Sequence, residues 1–86
     1  MPEISRFFGV VIRMYYDDYG TPHFHANYSG QEAKISIQPI RVVKGALPKR
    51  ALSMVLEWAA VHQDELLANW KLAEAETALN KIEPLE

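Results

Sequence analysis

Residues 23–38 constrain this chain more than any other stretch, because two alternating patterns meet there at one Ser29-Gly30 pair. In an extended strand, successive side chains point to opposite faces of the sheet. Phe24, Ala26 and Tyr28 therefore share one face, and His23, His25 and Asn27 share the other. A Ser-Gly pair suits a two-residue hairpin turn, which sets Tyr28 opposite Gln31, Ala26 opposite Ala33 and Phe24 opposite Ile35. The following segment obeys that register: Ala33, Ile35 and Ile37 are apolar, whereas Glu32, Lys34, Ser36 and Gln38 are polar. The two patterns together predict a sheet with one core face and one polar face. Both histidines fall on the polar face, with His25 across from Lys34 and His23 across from Ser36.

On either side of the hairpin the signals are coarser. Phe7–Tyr16 is rich in aromatic and β-branched residues and lacks a helical stripe, so it reads as one strand. Asp17–Pro22 reads as a loop, with two aspartates, a glycine and a proline. Pro39 has no N–H to give a ladder, so Ile40–Lys44 reads as a bent or edge segment. Pro48 suits a first helical turn. From there Leu52, Val55, Leu56, Ala59, His62, Leu66, Trp70 and Ala73 recur at the steps of one helix face. This predicts a helix to about Ala75, with a break near Asn69. Trp58 and Trp70 read as packing residues, and Asn80–Leu85 as an extended tail covering a sheet edge or the helix end. The expected fold is α+β: a three-stranded antiparallel meander, with a further edge segment, packed on one long C-terminal helix.

Eighty-six residues make one domain, 1–86. A chain of this size buries a modest share of its surface, and a partner or a second copy of itself would add stability. No apolar run approaches the roughly 18 residues that span a bilayer, and no leader pattern precedes the first strand, so a cytoplasmic protein is expected. The absence of cysteine excludes a disulfide framework and thiolate chemistry. Residues 1–50 carry seven basic and four acidic side chains, and residues 51–86 two basic and seven acidic ones. The resulting +3 and −5 form a mild dipole that can orient a partner, not the strongly basic footprint of a dedicated nucleic-acid-binding domain.

Histidines two apart on a strand lie on one face, roughly 6–7 Å apart at the backbone. That spacing permits shared metal ligation, but a zinc site needs a third protein ligand. His62 belongs to the stripe on the opposite side of the sheet, so no three-histidine site and no cofactor is expected. Asp17 or Asp18 would be the alternative third ligand. The second reading is acid–base handling of RNA by His23 and His25 beside Lys34, with Arg13 or Tyr15 joining from the preceding strand. The structural alternative is that the histidines pin the hairpin by bonding Asp17 or Asp18. The catalytic candidates are therefore His23, His25, Arg13 and Lys34, and the binding candidates Tyr15, Asp17 and Asp18.

The segments Pro2–Gly9, Ile12–Asp18, Pro22-His23-Phe24-His25, Leu47-Pro48, Arg50-Ala51-Leu52, Leu56-Glu57-Trp58-Ala59, His62 and Asn69-Trp70 resemble a family of small bacterial proteins described as domain of unknown function 4160. The resemblance implies a short domain with strands first and helix last, and no established activity. It also implies a small protein partner encoded nearby, in pairs that look like toxin–antitoxin modules.

Overall fold

The computed structural model describes residues 2–16 and 19–86. Five antiparallel strands follow one another in chain order across a single sheet: β1 (Glu3–Phe7), β2 (Val10–Arg13), β3 (His23–Tyr28), β4 (Gln31–Ile37) and β5 (Ile40–Gly45). Two helices complete the chain, α1 (Lys49–Val61) and α2 (Gln63–Glu74). The class is α+β with an antiparallel sheet, as expected, but with five strands and two helices in place of three and one.

The first correction concerns residues 7–16. They hold the end of β1, a tight turn and β2, because Phe8 (φ 47°) and Gly9 (φ 83°) both adopt left-handed backbone. That conformation at both central residues matches the twist of a two-residue hairpin. A phenylalanine seldom takes it, so Gly9, set in a run of strand-forming residues, is the one residue type that signals the turn. The central hairpin follows the predicted register throughout: His23↔Ser36, Phe24↔Ile35, His25↔Lys34, Ala26↔Ala33 and Tyr28↔Gln31. Ser29 (φ 49°) and Gly30 (φ 83°) make its turn.

The segment after Pro39 is a full fifth strand on the sheet edge, reached through a cis Gln38–Pro39 peptide. It pairs with β4 through an irregularity at Lys34/Ile35, which sets Lys34 opposite Lys44 and Ile35 opposite Val42. Gly45 (φ 80°) closes this strand so near its neighbour that a Cβ would lie 2.3 Å from the Glu32 carbonyl oxygen. Only glycine fits there.

The helical stripe is real, but the helix breaks at His62 (φ −112°, ψ 25°) and not near Asn69. The apolar spacing keeps its phase across the break, so periodicity alone could not reveal it. Gln63 then donates its side-chain amide to the Ile37 carbonyl at 2.8 Å, fixing the start of α2 to the end of β4. Asp64 and Glu65 in the first turn of α2 and Lys71 in its last complement the helix dipole. Asn69 is buried and exchanges two hydrogen bonds with Asn80, donating to its carbonyl at 2.8 Å and accepting from its N–H at 2.9 Å.

The core lies between the apolar sheet face and the helices. Phe24, Ala26, Ala33, Ile35 and Ile37 are all buried, together with Val10, Ile12 and Met14 from the second strand and its extension. Trp58 of α1 anchors the other layer, with ring centroids 5.5 Å from Phe7 and 5.9 Å from Phe24. Its indole N–H donates to the Glu83 carbonyl at 2.8 Å, so the extended tail completes the core. The Ile82 N–H donates to the Ile4 carbonyl at 2.8 Å, and Ile82 is buried. The tail thus covers the outer edge of β1, in line with the sequence expectation.

Candidate polar-face site

On the polar sheet face, one row of side chains crosses all five strands, beginning at Glu3 opposite Arg13. Arg13 pairs with His25, His25 with Lys34 and Lys34 with Lys44. A second row runs beside it, His23↔Ser36↔Arg41. On its other flank stand Asn27 and Glu32, also paired. Like charges directly opposite each other destabilise a sheet, so the Lys34–Lys44 pair is a local electrostatic cost. Among the described residues neither lysine forms an ion pair with a carboxylate, and nor does Arg41.

Two acids of the described residues lie on this face: Glu3, opposite Arg13 at the β1 edge, and Glu32, which holds a histidine. His25 Nδ1 lies 2.8 Å from Glu32 Oε2. A carboxylate accepts, so Nδ1 carries the proton and the ring orientation is fixed. Asn27 donates to the other Glu32 oxygen at 3.4 Å and accepts from Arg13 at 3.4 Å, which extends the chain to β2. Tyr15 stands edge-on to the His25 ring with centroids 4.5 Å apart. The His25 side chain keeps 14% of its surface exposed, as its position on the polar face predicts.

His23 differs from expectation. It is only 2% exposed, although strand alternation implied partial exposure. The Trp70 ring of α2 packs against it at 5.0 Å, and His25 lies at 5.3 Å. Its Nδ1 is 2.8 Å from the Thr21 carbonyl oxygen, an acceptor, so this nitrogen is the protonated one. Alternation assigned the face correctly, but it carried no information about a tryptophan of α2 reaching the first residue of β3.

His62 does not join the pair. It packs against Trp58 at 5.6 Å and bonds Glu65 through Nδ1. Among the described residues no group of three or more histidine, aspartate or glutamate side chains converges on a point that would hold a metal ion. The candidate residues Asp17 and Asp18 lie outside the described residues.

The family model described as a domain of unknown function (DUF4160) matches residues 9–71. The chain belongs to that family. The matched stretch contains every strand from β2 to β5, all of α1 and most of α2, and with them the polar-face residues from Arg13 to Lys44. Residues 2–8 and the tail that covers β1 lie outside it. No curated protein and no solved structure matches the chain.

Among the described residues of this DUF4160 domain, two adjoining clefts on the polar face bear on the site. One, of about 220 Å³, is lined by Tyr19, Gly20, Thr21, His23, Lys34, Ser36, Arg41 and Val43. The other, of about 380 Å³, is lined by His25, Glu32, Lys34, Lys44 and Gly45. Lys34 contributes to both, so the clefts adjoin along β4. Arg13, His25 and Lys34 come together as the sequence patterns implied, and His23 lines the first cleft as a buried residue. Glu32, Asn27, Arg41, Lys44 and Tyr19 were not among the sequence candidates. Glu32 was legible in principle, since the hairpin register puts it diagonal to His25. Arg41 and Lys44 were not, because the irregularity between β4 and β5 decides what they face.

Proposed function

We propose that the polar sheet face binds the phosphate backbone of RNA, and that the protein is the active half of a two-protein, toxin–antitoxin-like pair working in the bacterial cytoplasm. The row Arg13–His25–Lys34–Lys44 across four strands is the observation that carries this reading. Two lysines held opposite each other gain most from a ligand that brings negative charge between them, and a phosphodiester does so. Arg41 extends the cationic surface along β5. The resemblance to paired bacterial proteins supports the second half of the proposal, a small protein partner encoded nearby.

In this reading His25 moves the proton. Glu32 holds its Nδ1–H at 2.8 Å and so orients the ring, as a second carboxylate does for a general base. His25 takes the proton of a ribose 2′-hydroxyl as that oxygen attacks the adjacent phosphorus. A 2′,3′-cyclic phosphate forms as the bond to the 5′-oxygen breaks, that oxygen takes a proton from water, and Lys34 with Lys44 offsets the charge that gathers on the phosphoryl oxygens. His23, buried under Trp70 and bonded to Thr21, is a positioning residue for the loop and cleft.

The test is expression of the chain alone in bacteria, with and without its genomic neighbour. Slowed growth that His25→Ala or Lys34→Ala relieves, with both variants still folded, is the expected result. Relief by co-expression of the neighbour is expected as well. Unimpaired growth at high levels of folded protein, unaltered by the neighbour, would contradict the proposal.

A further inference from the structure

The smaller cleft carries more information than a phosphate site requires. Its floor holds two buried polar residues, His23 and Ser36, and its cationic groups are Lys34 and Arg41. Those four would suffice for an anion. The remaining wall is apolar and turned to solvent: Tyr19 is 86% exposed and Val43 53% exposed. A bare phosphate makes no use of an aromatic ring or a valine. A metal ion is opposed by two cations, with no carboxylate among the described lining residues. A ligand that is flat and apolar on one side and anionic on the other fits both walls.

We propose that this cleft seats one nucleotide of single-stranded RNA, with its base stacked on Tyr19 against Val43 and its phosphate between Arg41 and Lys34. The inference rests on the RNA-binding reading of the same face and adds to it the strandedness of the substrate. Aromatic side chains beside a cationic groove are the general means by which single strands are held, because every base has a π-face. In a duplex the bases are stacked on one another and their faces are out of reach of Tyr19. The register supports the geometry: Arg41 and Lys34 lie in adjacent rows on neighbouring strands, so a backbone that runs from one row to the next meets Arg41 and then Lys34, with Lys44 and His25 on either side of it.

The experiment measures equilibrium binding of a labelled oligoribonucleotide to the full chain, single-stranded and annealed to its complement. Tyr19→Ala, Tyr19→Phe and Lys34→Ala are compared with the unaltered protein. The single strand is expected to bind more tightly than the duplex. Tyr19→Ala is expected to weaken single-strand binding roughly 5- to 150-fold, the range for loss of one stacked base, and to leave the salt dependence unchanged. Tyr19→Phe retains the ring and is expected to retain the affinity. Because Tyr19 is exposed, neither change should disturb folding. Equal binding of both forms, with no effect of Tyr19→Ala while Lys34→Ala still loses affinity, would overturn the stacking inference and leave the backbone reading standing. No binding of either form by the unaltered protein would overturn both.

Discussion

Two neighbouring residues of β3 show how a one-residue step changes the cost of a substitution. Phe24 is fully buried against Trp58, so Phe24→Ala removes a large core side chain and leaves a cavity. A loss of about 3–5 kcal/mol is expected, measurable by chemical denaturation, and it would consume much of the stability of a domain this small. One position on, His25 is held by an exposed carboxylate, Glu32, whose side chain is 46% accessible. His25→Ala removes that exposed pair, worth at most about 1 kcal/mol, together with the edge-on contact to Tyr15. His23→Ala should cost more, about 1–3 kcal/mol, because it strips a buried bond from the Thr21 carbonyl and the packing against Trp70. Equal effects of the two histidine substitutions in denaturation curves would contradict this division of roles.

At the scale of elements, β5 is held in place by a backbone contact that only glycine permits. Gly45→Ala brings a Cβ into the Glu32 carbonyl at a residue that already requires positive φ. The strand must shift, and a loss of at least about 2 kcal/mol is expected, with a lower melting temperature. Because Lys44 and Arg41 ride on β5, the same change should weaken any ligand of the polar face. The central hairpin was legible because two alternations constrained one register, and a slip of one residue would have buried His25 and exposed Phe24. Elements set by a single backbone event were less legible. The Phe8-Gly9 turn uses an aromatic residue in left-handed conformation, and the break at His62 leaves the apolar stripe in phase. Of the candidate site, the β2–β4 part followed from strand faces. The β5 part, and the burial of His23 by Trp70, depend on contacts that no local pattern encodes.

Over the whole molecule, the charge split read from the sequence takes on a direction. The sheet presents Arg13, Lys34, Arg41 and Lys44 on its polar face, whereas the acidic residues of 51–86 belong to the helices and the tail. Not every charge on this surface is positive, since Glu3 stands opposite Arg13 at its β1 edge. On β1, hydrogen bonds from Arg6 at 2.8 and 3.1 Å hold the Glu3 carboxyl below its usual range. Since its folded value is lowered, this small contribution to stability is present above the ordinary carboxylate range and is lost as pH falls through it. The polar face should make its presence felt through salt. Four cations contacting a single strand predict a slope of log affinity against log salt of about −3, reduced by about 0.7 for each lysine removed. Titrating a single-stranded oligoribonucleotide over a series of salt concentrations, with the unaltered chain and with Lys34→Ala and Lys44→Ala, measures this slope directly. A steep slope that each substitution makes shallower is the predicted result; absent binding, or a slope that both variants leave unchanged, would contradict the assignment of RNA to this face.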